Sequence, residues 1–413
     1  GSSSFAGPSG IGTPNPYTLW AISLKPDSRG ALLWIKNYSA PPENITRFLQ
    51  VVDKVNRVTI FLDKETFQFS GYSIDNGEKL WETTPPENMS DFSYFDVTHA
   101  AVFTTAAYGR LYHSGWGGVL YCYDTKNGKL LWTYGNGGEG NSTFGGLQTP
   151  WGNYPIFIAS IADGKVFLFS GEHSPNTPLY KGWKIRAVNA TNGEELWTML
   201  GSMGYPPRSY YPVAEGFIVY YNMYDGQLYC IGKGPSATTV SASPKISTHG
   251  SKILVEGTVT DIAAGTKQDE QAARFPHGVP AVADESMGAW MEYVYMQKPK
   301  PTDVKGVEVT VTVLDPNGNC YDVATATTDA SGFYSCTFEP PVPGKYTIIA
   351  TFKGSESYWP SSAETAVFVE EAPAATPEPT PTPASMTETY ITGFGIAIIA
   401  AIAIVGFLLM RKR

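Results

Sequence analysis

A glycine followed by a tryptophan four residues later recurs along the first half of the chain. The four pairs are Gly30 and Trp34, Gly77 and Trp81, Gly128 and Trp132, and Gly193 and Trp197. In the clearest copy, YDTKNGKLLWTYG, the sequence predicts a strand, a tight turn at Asn127-Gly128 and a returning strand. Glycine supplies the positive φ that such a turn needs, and the fixed offset then places the indole at one point on the returning strand.

The spacing of these pairs predicts a β-propeller. Successive tryptophans are 47, 51 and 65 residues apart, and most of the hairpins follow another strand that begins at a turn, such as GRLYHS or DGKVFLFS. Units of roughly four short strands with this period match propeller blades better than a sandwich, and an indole is large enough to fill the seam between blades. A fifth copy, at 225–234, lacks the tryptophan, so we expect it to be the last, truncated repeat.

The Asn-Gly turn followed by Leu-Trp resembles the repeat of pyrroloquinoline-quinone-type (quinoprotein-like) propellers over residues 17–234. Residues 162–197 resemble repeats of uncharacterised archaeal surface propellers. The resemblance implies a mainly β fold with propeller blades at 1–234. Rings of this family usually carry about seven or eight blades, so we expect earlier blades upstream of Gly1; the other interpretation is an unusually small ring. The motif is specific for fold and not for function, because quinone dehydrogenases, assembly lipoproteins and non-enzymatic surface proteins share it.

The resemblance also implies what an enzyme of this family would need. Its dehydrogenases hold the quinone between a tryptophan and a disulfide of adjacent cysteines, beside a calcium ion and an aspartate base. The four cysteines of this chain include no adjacent pair. We therefore expect no enzymatic activity, no catalytic residues and no cofactor. The alternative is a membrane-tethered quinoprotein oxidoreductase whose pyrroloquinoline quinone and calcium bind in the missing N-terminal blades.

The cysteines fall into two pairs. The residues that align with Cys122 and Cys230 in the other repeats are Ala21, Ser73 and Ala187. A small residue at one point on the strand predicts packing, and therefore buried free thiols. Cys320 and Cys336 flank TTDASGFY, and they are not directly opposite if that turn forms a hairpin. A disulfide between them needs a bulge or different strands, so both states stay open.

Candidate site residues lie in two loop-like stretches. Glu172 and His173, in SGEHSPNTPLY, place a carboxylate beside an imidazole, which suits acid–base chemistry, although the same pair can satisfy loop backbone groups. Trp151 and Tyr154 follow a glycine-rich stretch and can stack a sugar ring or cover the end of the propeller channel. The five histidines show neither HxH nor HxxxH spacing, so we expect no metal site.

Residues 235–370 change to short alternating strands separated by turns such as DPNG and ASG. This pattern of short strands and turns resembles prealbumin-like and immunoglobulin-like (Ig-like) modules of prokaryotic surface proteins and implies an Ig-like β-sandwich spacer. An insertion at 263–301 contains DESMGAWMEYVYMQ, where Asp284 or Ser286 is expected to cap a short helix. One apolar side of that helix is formed by Trp290, Met291, Tyr293 and Met296. Such a side binds a partner or packs on a neighbouring domain.

The C-terminal end predicts a single membrane anchor. Residues 390–410 contain the uncharged run ITGFGIAIIAAIAIVGFLLM, about the length that a helix needs to cross ~30 Å of hydrocarbon. The basic tail 411–413 predicts a cytoplasmic C-terminus by the positive-inside rule, which leaves the preceding domains outside the cell membrane. The Pro/Thr-rich residues 371–389 predict an extended stalk.

Charge and glycosylation signals fit an exported chain. The net charge of −9 disfavours a nucleic-acid partner. Candidate glycosylation sequons begin at Asn37, Asn44, Asn88, Asn141 and Asn189. We therefore expect a single-pass extracellular surface glycoprotein that presents a non-catalytic propeller as an adhesion or envelope scaffold, with a surface protein or glycan as its partner.

Overall fold

The structure is a computed structural model of the chain, and it describes residues 12–83, 104–114, 118–135, 156–170, 184–202, 211–373 and 386–412. These residues are mainly β, as the sequence predicts.

The N-terminal part consists of five consecutive antiparallel sheets, which we call blades 1 to 5. Blade 1 contains β1 (Tyr17–Ile22) and β2 (Leu32–Tyr38), and a short 3-10 helix, Pro42–Asn44, follows it. Blade 2 contains β3 (Arg47–Asp53), β4 (Val58–Asp63), β5 (Gln68–Ser73) and β6 (Lys79–Glu82). Blade 3 contains β7 (Thr104–Ala107), β8 (Arg110–His113), β9 (Leu120–Asp124) and β10 (Leu130–Tyr134). Blade 4 contains β11 (Phe157–Ala162), β12 (Lys165–Phe169), β13 (Lys184–Asn189) and β14 (Glu195–Leu200). Blade 5 contains β15 (Val213–Ala214), β16 (Phe217–Asn222) and β17 (Gln227–Ile231).

Each of the first three tryptophans reaches forward onto the next blade. The indole lies against the turn glycine of the following blade, and its Nε1 donates to a carbonyl oxygen of that turn; we call this contact the tryptophan lock. The locks join Trp34 to Gly77 and Ile74, Trp81 to Gly128 and Thr125, and Trp132 to Gly193 and Thr191, with Nε1···O distances of 2.7, 2.7 and 3.0 Å. A β-carbon on any of these glycines would lie 2.5 to 2.6 Å from the ring, and their φ angles are +74 to +79°. The position therefore requires glycine both for the turn and for room.

Buried apolar side chains fill the spaces between blades. Four separate clusters lie at the four junctions between successive blades. The cluster between blades 1 and 2, for example, contains Tyr17 and Leu19 of one sheet and Phe61 and Tyr72 of the next. The core is thus divided into seams between sheets, which is the packing expected for propeller-type repeats.

A small residue lies opposite each tryptophan on the neighbouring strand. The cross-strand pairs are Ala21 with Trp34, Gly71 with Trp81, Cys122 with Trp132 and Ala187 with Trp197. The alignment of Ser73 with this position is wrong, because the register places Gly71 there. A β-carbon on Gly71 would lie 2.1 Å from the Trp81 ring, so the indole itself excludes a larger residue.

Of the two thiols predicted to be buried, only Cys122 is buried; Cys230 is exposed. Both occupy the same place on the third strand of their blades, since Cys122 pairs with Tyr112 and Cys230 with Val219. Blade 5 has no fourth strand among the described residues. No tryptophan therefore covers Cys230 from a neighbouring strand, and the prediction of its burial is wrong.

The following residues form two sheets around one hydrophobic core, which we call the two-sheet domain. Its strands are β18 (Ser236–Thr238), β19 (Ser241–Ser243), β20 (Ile246–Thr248), β21 (Ile253–Asp261), β22 (Val279–Pro280), β23 (Glu308–Leu314), β24 (Cys320–Thr327), β25 (Phe333–Phe338), β26 (Gly344–Phe352) and β27 (Ser361–Glu370). In one sheet β21 pairs with β18, β19, β22 and β25; the other has the order β20-β27-β26-β23-β24. Alternate side chains of β21, β23 and β26 point into the shared core.

The strands that flank TTDASGFY do not form a hairpin. β24 pairs with β23, whereas β25 pairs with β21 in the other sheet. Cys320 and Cys336 therefore lie in different sheets, and both are free thiols.

The insertion between β21 and β23 contains two helices. They are α1 (Asp269–Arg274) and α2 (Met287–Tyr295), each preceded by a 3-10 turn, Ala264–Lys267 and Asp284–Ser286. Ser286 occupies the N-cap position of α2, as one of the two predicted alternatives has it, but its side chain makes no capping hydrogen bond, and Asp284 lies within the preceding 3-10 turn. The Asp284 carboxylate instead accepts hydrogen bonds from the loop 355–357, and Ser286 Oγ accepts one from the backbone N–H of Lys305.

The last helix, α3 (Met386–Met410), has 25 residues. It begins four residues before the predicted span, so the end of the expected stalk is helical. By length and composition it is apolar enough to cross a membrane, and its side chains pack against no other part of the described chain.

Candidate functional site

The connections between strands divide the blades into two ends. At one end, which we call the turn end, connections have two to nine residues and carry the tryptophan locks. At the other, the loop end, they have four to 22 residues. All five internal stretches that lie outside the described residues of the blades connect strands at the loop end. Because binding residues concentrate in long loops carried on a rigid scaffold, the loop end is the candidate site.

The residues singled out from the sequence fall on these connections. Glu172, His173, Trp151 and Tyr154 all lie outside the described residues. The strand ends beside Glu172 and His173 are described: the backbone N–H of Ser170 donates to Lys184 O at 3.0 Å. The two stretches that hold the four residues are therefore attached to one blade, blade 4, at the same end.

A buried ion pair holds the loop end of blades 1 and 2 together. The Arg47 guanidinium donates from Nε and Nη2 to the two oxygens of Asp63 at 2.6 Å, and from Nη1 to Tyr17 Oη and Tyr72 Oη at 3.0 Å. Burial by itself lowers the pKa of Arg47, but the hydrogen bond to Asp63 and the interactions with Tyr72 and Tyr17 together outweigh that effect, and the pKa is raised. Because the Arg47 guanidinium and the Asp63 carboxylate bind each other, the pair stabilises the seam between blades 1 and 2 and leaves neither group available as an acid or base.

His113 lies at the loop end of blade 3 and was not singled out from the sequence. Its ring is 1% exposed, contacts the edges of Phe67 and Phe69, and shares a 2.7 Å hydrogen bond between Nδ1 and Thr104 Oγ1. Burial lowers the pKa of His113 to about 3. The imidazole is therefore neutral near pH 7 and acts as a packed polar side chain.

A second buried ion pair joins blade 4 to the two-sheet domain. Glu292 of α2 is 5% exposed and accepts a hydrogen bond from the backbone N–H of Leu200 at 2.5 Å. Its Oε1 lies 3.4 Å from Lys184 Nζ, which is also buried. Burial lowers the pKa of Lys184, and the Glu292 carboxylate offsets part of that effect. The pair anchors α2 at the loop end, on the outer strand of blade 4.

The apolar side of α2 is used inside the chain, which is one of the two uses considered from the sequence. Met291 and Met296 pack against the cluster between blades 4 and 5, as Trp197 does. Trp290 and Tyr293 instead pack around Phe275 of the insertion. α2 thus packs at the loop end of blade 4, beside the cluster between blades 4 and 5.

Among the described residues, no group of three or more histidine, cysteine, aspartate or glutamate side chains is arranged to hold a metal ion. Of the sequons, Asn37 and Asn44 are exposed. Asn189 is half-buried, and its Oδ1 accepts a hydrogen bond from the backbone N–H of Thr191 within the turn that receives Trp132. Asn88 and Asn141 lie outside the described residues.

Solved structures match the chain at low identity and low TM-score. The crystal structure of BamB from Moraxella catarrhalis matches with a TM-score of 0.31 and 10% identity, over 80% of this chain and 90% of that one. A computationally designed protein, Ika4, matches with a TM-score of 0.28 and 10% identity, over 44% and 88%. The WD40 β-propeller domain of Doa1 matches with a TM-score of 0.26 and 10% identity, over 60% and 73%.

None of the curated proteins matches the chain. A family model described as outer membrane protein assembly factor BamB matches residues 68–200, about a third of the chain. This stretch begins with β5 and ends with β14, so it includes two of the three tryptophan locks. Residues 68–200 are thus similar to the proteins that this family model describes.

Proposed function

We propose that the chain is a single-pass surface protein whose blades form a non-catalytic binding or envelope scaffold outside the cell. The observation that carries the proposal is the order of the parts: blades, two-sheet domain, proline-rich segment, apolar helix α3 and a basic end. A helix of this length followed by Arg411, Lys412 and Arg413 supports an anchor with a cytoplasmic C-terminus. The two-sheet domain then acts as an Ig-like spacer, and the exposed Asn37 and Asn44 suit glycan attachment.

The non-catalytic character is supported by how the buried polar groups are used. Arg47 bonds to Asp63 of its own blade and to Tyr17 of blade 1, and Lys184 and Glu292 bond to each other across the junction of blade 4 with the two-sheet domain. The family model that matches residues 68–200 is described as an assembly factor, which supports a scaffold that binds protein. We place the binding surface at the loop end, where the long connections lie.

Membrane sidedness can be tested with the exposed thiols. On intact cells that express the full chain, a membrane-impermeant maleimide is expected to label Cys230 and Cys320. A Lys412→Cys variant in a Cys230→Ser, Cys320→Ser, Cys336→Ser background is expected to react only after permeabilisation. Labelling of Lys412→Cys on intact cells, with Cys230 and Cys320 unreactive, would reverse the proposed orientation.

The absence of catalysis can be tested separately. The purified full chain is incubated with calcium and pyrroloquinoline quinone, and dye-linked alcohol oxidation is measured alongside the spectrum of bound quinone. We expect neither turnover nor a bound chromophore. Turnover that requires both additions would support the quinoprotein oxidoreductase instead.

A further inference from the structure

The last strand of blade 5, β17, is an open edge. Cys230 holds the same place on β17 that Cys122 holds on β9. In blade 3 an outer strand pairs with β9 and sets Trp132 opposite Cys122. No described strand pairs with the outer side of β17, and the chain runs on from it into the two-sheet domain. Blade 5 therefore lacks the strand contact that completes blades 2 to 4.

Two residues of β17 direct their backbone hydrogen-bonding groups to this open side. The N–H of Val219 donates to Pro212 O at 3.0 Å, on the side of β16 away from β17. Val219 is directly opposite Cys230, and opposed residues in an antiparallel pair direct these groups either toward each other or both outward. The N–H and C=O groups of Cys230 therefore point to the open side, as do those of Leu228 two residues earlier. β17 contains neither a charged residue nor a proline, which are the usual protection of an edge strand.

The side chain of Leu228 is exposed although its counterparts are buried. Leu228 is 71% exposed and lies on the same face of the sheet as Cys230. The residues two positions before the small residue of blades 1 to 4 are 0 to 6% exposed: Leu19, Phe69, Leu120 and Ile185. Tyr221, which is directly opposite Leu228 on β16, is 55% exposed. An apolar face thus adjoins the open edge, and together they mark an interaction surface.

β17 carries both halves of the contact that its edge lacks. In blades 1 to 4 the outer strand sets a bulky apolar side chain opposite a small one. Two antiparallel copies of β17 repeat this arrangement twice when Leu228 of each lies opposite Cys230 of the other, about a two-fold axis at Tyr229. This register also pairs every outward N–H and C=O group of Leu228 and Cys230. The neighbouring registers that align these groups set Leu228 opposite Leu228 or Cys230 opposite Cys230, which puts bulky against bulky or small against small.

We propose that β17 is a dimerisation strand, which pairs antiparallel with β17 of a second copy and joins two three-stranded blades into one six-stranded sheet. Across the joined sheet, Val219 and Cys230 form one apolar row with Leu228 and Tyr221 of the second copy. Because the same surface serves both copies, the assembly closes as a dimer and does not extend into a filament. The Cys230 thiol points to the face of the sheet and not to its edge, so maleimide still reaches it in the dimer. The inference goes beyond the proposed function, because neither membrane anchoring nor binding at the loop end depends on it.

Sedimentation equilibrium of the full chain in detergent tests the dimer. We expect a concentration-dependent dimer, and Leu228→Lys is expected to raise its dissociation constant at least ~10-fold, because each copy then places a charge on the paired edge. Leu131→Lys is the matched control, since Leu131 is an exposed leucine on the outer strand of blade 3 and its replacement should leave the constant unchanged. A dimer that Leu228→Lys leaves intact contradicts the proposal, because another surface, such as α3, then joins the copies. A monomer at every concentration also contradicts it and leaves the edge to a strand of another protein.

Oxidative cross-linking tests the register. In a Cys320→Ser, Cys336→Ser background, Leu228→Cys places a thiol opposite Cys230 of the second copy. With copper phenanthroline as the oxidant, we expect this variant to form interchain disulfides at least ~10-fold faster than the background alone or than the Leu228→Cys, Cys230→Ser variant, each of which has one thiol on β17. A one-thiol protein that cross-links as fast as the two-thiol variant contradicts the proposed pairing, and so does a two-thiol variant that forms no interchain disulfide.

Discussion

The indole nitrogen of Trp81 donates a hydrogen bond to the carbonyl oxygen of Thr125 across the seam between blades 2 and 3, at 2.7 Å. Trp81 is 7% exposed, so both groups of this bond are shielded from water. A buried carbonyl that loses its donor costs free energy in addition to the lost packing. The two contributions can be separated by substitution.

We expect Trp81→Phe to destabilise the blades by about 2 kcal/mol, since the ring is partly kept while the donor is lost. The measurement is urea unfolding followed by circular dichroism. Trp359→Phe is the matched control, because Trp359 is 55% exposed and its replacement is expected to change little. Equal stability of the two variants would contradict the lock as a stabilising contact.

Replacing Glu292 by Gln is expected to loosen the junction between blade 4 and the two-sheet domain. The change leaves Lys184 buried without its carboxylate and costs about 3 kcal/mol. Calorimetry should then show the two parts unfolding at separate temperatures. The exposed pair of Arg57 and Asp75 supplies the control, since Asp75→Asn removes a carboxylate that is open to solvent and should leave the transitions unchanged.

His113 predicts a loss of stability in acid. Its pKa is about 3 in the folded chain and about 6.5 when exposed, so between these values the unfolded state binds more protons. The contribution is complete above pH 6.5 and declines as the pH falls toward 3, by up to about 1.4 kcal/mol per unit. His113→Asn should flatten the dependence of unfolding free energy on pH in this range. His249→Asn, in the two-sheet domain, is the control; an unchanged slope in His113→Asn would refute the assignment.

The thiols are expected to differ sharply in reactivity. Cys122 is fully buried, and burial raises its pKa to about 12, so it should resist maleimide in the native chain. Cys230 and Cys320 are exposed and should react. Mass spectrometry of peptides after labelling, with and without denaturant, checks each site. Modification of Cys122 in the native chain would contradict the burial of β9 in the seam between blades 3 and 4.

Local sequence spacing was sufficient to predict the positions of Trp34, Trp81 and Trp132 in their blades. Each tryptophan lies four residues after its turn glycine, so the turn fixes its position on the returning strand. It could not predict the pairing of Arg47 with Asp63, which are 16 residues apart on different strands with no shared motif. It also failed at Ser73, because the residue opposite Trp81 is Gly71, six residues before its turn glycine, as Cys122 and Ala187 are before theirs. The place of α2 on blade 4 depends on a contact between residues 92 apart, Leu200 and Glu292, that no local pattern reports.

The candidate site was the least predictable part. The sequence indicated loop residues by their chemistry, and Glu172, His173, Trp151 and Tyr154 lie outside the described residues. The structure adds that the two stretches holding these residues both connect strands at the loop end of the blades. That placement follows from the order of the strands and not from amino-acid composition.

The tryptophan locks all point one way along the chain, and this gives the row of blades a polarity. Removing a blade would expose the sheet that follows it in the chain. It would also leave the tryptophan of the preceding blade without its hydrogen-bond acceptor, so both neighbouring blades would be destabilised. Cleavage of the backbone or misfolding of a repeat in the middle of the row should therefore unfold the neighbouring blades one after another. The same damage in a terminal blade should unfold only the end of the row.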